Sequence, residues 1–258
     1  MKKLIEDLER ISTNNSSIAE NQRQVYETGL TIGRQEGLQE GREEFWDLYQ
    51  KNGKRTAYSY AFGGQGWTDT TFTPKYSMKP SSANSIFYSS EITDLKGILE
   101  SRGLTLDFSS CTGMTYLFNT SKITRVGVIN TKSCSGLDYL LTNSSQLVSV
   151  DKVILKSDGS QTFQNLSFQN CTKLTEIRFE GVIGRKNFNM ESSKNLSRAS
   201  IESIIGCLSD TTSGISITLS LVAVDKAFET SEGANDGSES AEWLALKQEK
   251  PNWTVNLV

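Results

Sequence analysis

The 258-residue chain contains no histidine. Ser-His-Asp triads, Cys-His dyads and every histidine-containing zinc site are therefore excluded by composition, and most hydrolase chemistry goes with them. Proline is scarce, at three residues, so corners of the chain must be built from other residue types. No run of about 18 uncharged apolar residues occurs, which excludes a helical membrane span. A basic excess is missing too. The 27 Lys and Arg face 30 Asp and Glu, and the net charge of −3 lacks the footprint of a nucleic-acid binder. The four cysteines, Cys111, Cys134, Cys171 and Cys207, include no CxxC pair. They are expected as buried packing thiols, not as a zinc or redox motif, and neither metal nor cofactor is expected. Met1-Lys2-Lys3 runs straight into Leu4-Ile5-Glu6-Asp7, which interrupts the apolar stretch of a secretion signal, so synthesis in a cytoplasm is expected. Counting Gly and leaving out Tyr, the apolar share is about 41 %, below the usual compact domain, and an elongated or assembled protein follows.

What is present begins with a period of seven. Leu4, Ile11, Ile18, Val25 and Ile32 occupy one heptad column, while the companion column keeps only Leu8 apolar before turning to Asn15, Gln22 and Gly29. A β-branched column with polar layers suits a register-fixed coiled coil, with a trimer favoured. Ser17 and Glu20 have the spacing of a capping box, marking a helix start. Gly29, Gly33, Gly37 and Gly41 follow at intervals of four, either a polar linker or a stripe of close helix approach. Residues 1–44 are thus read as a helical anchor and oligomerisation segment. Residues 45–85 form an aromatic junction and N-terminal cap over the open end of the core, in which Tyr58, Tyr60 and Phe62 alternate as in a strand and Gly63-Gly64-Gln65-Gly66-Trp67 marks a turn.

From Ile86 the sequence repeats. Each unit has an aromatic-aliphatic step, a Ser/Asn/Thr corner and a short strand of the form Ile-Thr-x-Val or Leu-Thr-x-Ile. Ile92, Ile123, Leu147, Leu174 and Leu196 align, at spacings of 31, 24, 27 and 22 residues. Such units cannot bury their inner faces singly and must stack. Residues 86–221 form this body. The tail reads as a cap over 222–258: helical spacing around Ser200 to Leu208 and a strand at Ile215, Ile217 and Leu219 lead into it. An interrupted acidic helix from Ala223 to Leu246 and a last strand at Trp253-Thr254-Val255 complete it.

The Cys-Thr-x-Leu-Thr-x-Ile and aromatic-x-x-Ser/Cys-x-x-Ile-Thr-x-Val units resemble the leucine-rich repeats of the bacterial surface-antigen type, found in adhesins and in tail-associated phage proteins. The spaced glycines and Phe45-Trp46-Asp47 resemble the front of the phage proteins. That resemblance implies an α+β chain: an N-terminal coiled-coil segment, an irregular leucine-rich-repeat, β-solenoid-like domain and a C-terminal cap. It implies a non-enzymatic virion component, such as a tail-fibre or baseplate-associated protein made in the bacterial host cytoplasm. Residues 1–44 would dock on other virion proteins or oligomerise, and the repeats would bind a host-surface glycan or protein. A head fibre, a capsid decoration protein and a bacterial adhesin are the alternatives.

The oligomerisation residues are then Leu4, Leu8, Ile11, Ile18, Val25 and Ile32. Tyr58, Tyr60, Trp67, Tyr76, Tyr88, Tyr116 and Tyr139 are the candidate ligand contacts, because aromatic faces stack on sugars; packing inside is the other use for them. A two-carboxylate glycosidase needs no histidine, yet Asp94, Asp107, Asp138, Asp151 and Glu176 form no recognisable constellation. No catalytic residue is assigned.

Overall fold

The computed structural model describes residues 62–63, 67–74, 77–163, 167–184 and 187–258. The heptad column of Leu4, Leu8, Ile11, Ile18, Val25 and Ile32 lies outside the described residues, as do Tyr58, Tyr60 and Tyr76.

Two residues beyond each of the aligned aliphatics Ile123, Leu147 and Leu174, a strand begins: β1 (Arg125–Asn130), β3 (Ser149–Ile154) and β5 (Glu176–Glu180). They pair in parallel in the order β1-β3-β5, with Arg125 opposite Ser149 and Ser149 opposite Glu176. This register is the repeat spacing read from the sequence, because like residues sit on like when each turn buries the same positions. Val126, Val150 and Ile177 point inward and are at most 3 % exposed, while Arg125, Asp151 and Arg178 face outward. Gly136–Leu137 (β2) and Thr162–Phe163 (β4) form a second short parallel ladder. Phe188–Met190 (β6), Ile215–Leu219 (β7) and Trp253–Leu257 (β8) form a third, in the order β6-β7-β8. Residues 125–219 make a β-solenoid-like region of about three turns.

Among the described residues the helices are α1 (Leu95–Glu100), α2 (Arg198–Gly206), α3 (Leu221–Phe228) and α4 (Ala241–Gln248), with one 3-10 turn at Gly237–Glu239. Among the described residues no helix is long and apolar enough to cross a membrane. The strand expected after Ile92 is replaced by α1. Its Asp94 accepts the Gly97 N–H at 3.0 Å, capping the first turn, and the Lys-Gly-Ile-Leu-Glu stretch lacks the density of β-branched residues that β1 and β3 carry. As a result α1 and α2 stand beside β1 and β5 and cover both edges of the main sheet, which would otherwise invite pairing with other chains.

Asp94 also ties α1 to that sheet, receiving Arg125 Nη2 at 2.6 Å and Nε at 3.1 Å. The guanidinium, followed by the Gly97 N–H, holds the Asp94 carboxyl below its ordinary value of 3.8 despite partial burial. A depressed carboxylate contributes stability that is complete above the unfolded value and lost as pH falls through the folded one. Asp94→Asn is therefore expected to lose less stability than the parent chain on acidification from pH 5 to below 3.8. Both partners are more than a third exposed, so the difference stays under about 1 kcal/mol. Thermal melts of the two proteins across that range measure it.

Aromatic rings fill the interior. Equivalent positions of successive turns hold Phe87, Phe118, Leu141 and Phe168, all fully buried, and the Phe87 and Phe118 rings lie parallel at 5.3 Å. Phe163, Phe168, Phe179 and Phe188 form a second cluster with centroids 4.9 to 6.2 Å apart. Each ring removed from water contributes about 1.5–3 kcal/mol. Phe62, Trp67 and Phe72 close one end against Phe87. At the other, Arg198 lies 4.9 Å over the Phe228 ring and pairs with Glu202 and Glu242, joining α2, α3 and α4.

Candidate functional site

The repeats turn a corner at 85–90, 116–121, 139–144 and 167–171, and these corners stack through backbone hydrogen bonds. Phe87 N–H donates to the Leu117 carbonyl at 3.0 Å, Phe118 to Leu140 at 2.9 Å and Leu141 to Ser167 at 3.0 Å. Ser85, Tyr116 and Tyr139 open the first three corners, and Ser89, Thr120, Asn143 and Asn170 close the four, all in the left-handed region with φ between 54° and 61°. For residues other than glycine this conformation costs about 1–2 kcal/mol apiece, and Asn tolerates it best. The ladder bonds, with a buried hydroxyl or thiol just inside each closing residue, offset that cost. Ser144 Oγ donates to the Phe118 carbonyl at 2.6 Å, Cys171 Sγ to Leu141 at 3.1 Å and Ser193 Oγ to Cys171 at 3.1 Å.

Of the opening side chains, Tyr116 is exposed, Tyr139 half-buried and Ser85 buried. The two tyrosine rings are parallel within 4°, with centroids 4.6 Å apart. Tyr88 meets Tyr116 edge-on at 6.4 Å. The structure thus brings three of the predicted contacts together. Tyr88 is not the counterpart of Tyr116; Ser85 holds that place, and Tyr88 arrives from three residues further along. Stacking also occupies the facing surfaces of Tyr116 and Tyr139, so this column offers ring edges and hydroxyls where sugar-stacking faces were expected. Trp67 has no place in it. That side chain is 7 % exposed and packs on Phe62 and Phe72, capping the core.

Beside the tyrosines the Ser/Asn/Thr corners stack into a polar column: Ser89, Thr120, Asn143 and Asn170. Asn170 Nδ2 donates to Asn143 Oδ1 at 2.7 Å, and Thr120 Oγ1 to Asn119 Oδ1 at 2.6 Å. The column's place is nearly constant, three residues before the aligned aliphatic in the first two units and four in the next two. Next comes a mixed column, where Lys122 pairs with Glu91 and Lys173 Nζ donates to Gln146 Oε1 at 2.7 Å.

The candidate acids are scattered and partnered. Asp94 is held by Arg125, Asp107 pairs with Lys79 at 3.1 Å and Asp151 with Lys96 at 2.7 Å. Glu176 accepts a bond from Ser200 at 3.4 Å. Although burial raises the Asp107 carboxyl, the Ser109 N–H and hydroxyl and Lys79 bring it below its ordinary value. A general acid needs the opposite shift. Asp138 keeps one buried oxygen without a partner. Among the described residues no three metal-binding side chains converge. Comparison of the chain with protein-family models, with curated proteins and with solved structures finds no match.

Proposed function

We propose that the repeat body is a non-enzymatic recognition module. In line with the resemblance of its repeats, it serves on a phage virion, where the heptad segment docks or trimerises and the repeats bind the host surface. The observation that carries this reading is the Tyr116–Tyr139 stack, continued by Tyr88 and flanked by Ser89, Thr120, Asn143 and Asn170. Tyrosine edges beside small amides and hydroxyls are the composition of protein binding surfaces that need contact area at low entropic cost and adaptable hydrogen bonding. Ion-paired carboxylates with depressed values support a role without acid catalysis. Several copies on one particle raise the working affinity of a modest site.

Tyr116→Asn with Tyr139→Asn tests this cleanly. Asparagine accepts the left-handed backbone, so the corners are kept while the rings are removed. Labelled full-length protein is applied to a panel of intact bacteria, and the double variant is expected to bind at least about tenfold more weakly with an unchanged circular-dichroism spectrum. Equal binding by the variant, or no binding by the parent chain to any cell of the panel, overturns the reading.

A further inference from the structure

Cys111 and Cys134 are not isolated. Each ends a turn closed in the same way, by the Cys111 N–H on the Phe108 carbonyl at 2.9 Å and the Cys134 N–H on Thr131 at 2.8 Å. The two turns are stacked: Ser133 Oγ donates to the Ser109 carbonyl at 2.6 Å, and Cys134 Sγ to the Cys111 carbonyl at 2.9 Å. The cysteines therefore hold equivalent places in adjacent rungs. Stacked rungs lie about 4.8 Å apart, inside the roughly 4.4–6.8 Å that a disulfide spans between α-carbons. In the next rung the place goes to Gln161, whose Nε2 donates to the Cys134 carbonyl at 3.1 Å just as Cys134 Sγ does to Cys111. Cys171 belongs to a different column, between Ser144 and Ser193, and Cys207 ends α2. No other pair of the four thiols is stacked in this way.

The geometry points to a disulfide-forming site, in which Cys111 and Cys134 join across adjacent rungs when the folded protein meets a two-electron thiol oxidant. Two S–H bonds break, one S–S bond forms, two protons pass to solvent and two electrons reduce the oxidant, a disulfide to two thiols or a diazene to a hydrazine. One thiolate attacks the oxidant first, and the other thiol then displaces the oxidant-derived group to close the S–S bond. Both are fully buried, so the reaction proceeds through opening of the turns and takes hours. It rests on the stacking of these turns alone and is independent of the recognition reading.

The test uses full-length protein treated for a day with diamide, then acid-quenched and denatured for thiol counting. The four free thiols are expected to fall to two, with a mass loss of two hydrogens and a single cross-linked peptide pair containing Cys111 and Cys134. Cys134→Ser keeps a donor toward the Cys111 carbonyl and is expected to keep its remaining thiols under the same treatment. Persistence of all four thiols in the parent chain, a bridge through Cys171 or Cys207, or thiol loss in the Cys134→Ser variant overturns the assignment.

Discussion

Phe168→Ala is expected to destabilise the protein by about 3–5 kcal/mol. Phe168 is fully buried, and its ring lies 4.9 Å from Phe188, 5.6 Å from Phe163 and 6.0 Å from Phe179, three side chains supplied by three different segments. Truncation removes the transfer free energy of the ring and leaves a cavity that this shell closes only in part, since the surrounding backbone is pinned by parallel ladders on both sides. The residue also shares a column with Leu141, one rung away. Leucine is thus an accepted occupant of such a place, and Phe168→Leu is expected to cost clearly less than Phe168→Ala. Urea unfolding followed by circular dichroism gives both values from the shift in midpoint at constant slope. A loss below about 1 kcal/mol for alanine would mean the cluster is not packed to the density of a protein interior.

The second large effect concerns how a parallel sheet ends. Among the described residues β5 has no further strand beside it, and its outward-facing amides would be orphaned under α2. Instead Ser200 Oγ accepts the Ile177 N–H at 2.9 Å and Ser203 Oγ accepts the Phe179 N–H at 2.8 Å. The same hydroxyls reach back to the Thr175 and Phe179 carbonyls at 3.3 and 3.4 Å. Two serines three residues apart lie on one helix face, so α2 mimics the hydrogen bonding of a strand while burying Ile201, Ile204 and Ile205. Replacing Ser200 and Ser203 together by alanine leaves two amides without acceptors, at about 1–3 kcal/mol each. Amide exchange at Ile177 and Phe179 is expected to accelerate by an order of magnitude or more, in step with that loss. Protection of both amides at the parental level would show that the helix backbone or solvent satisfies them instead.

Much of this architecture was legible in the residues. The aliphatic column of Ile123, Leu147 and Leu174 predicted the pairing register of β1, β3 and β5, since an in-register stack repeats its buried positions turn by turn. The helix around Ser200 to Leu208, the strand at Ile215 to Leu219, the interrupted helix and the strand opening at Trp253 were all legible as local patterns. Ile92 and Leu196 align equally well, and yet helices follow them. The shared motif marks where a turn enters the core; what comes next depends on the following six residues and on whether a neighbouring rung exists to pair with. The same spacing of 31 residues that separates Ile92 from Ile123 places Ser85 under Tyr116, and the ladder bonds agree with it.

The amino-acid sequence by itself determined that units stack, which aliphatics they share and, through its lack of histidine, which chemistries are closed to the chain. Tertiary structure alone decided that Tyr116 and Tyr139 stack on one another, which rings Trp67 packs against and that Cys134 lies against Cys111. Each of those contacts joins residues in different rungs, separated in the chain by a whole turn or placed by an end cap. A local pattern states how a residue is used within its own turn; its neighbour in the next is set by the backbone ladders that hold the turns together.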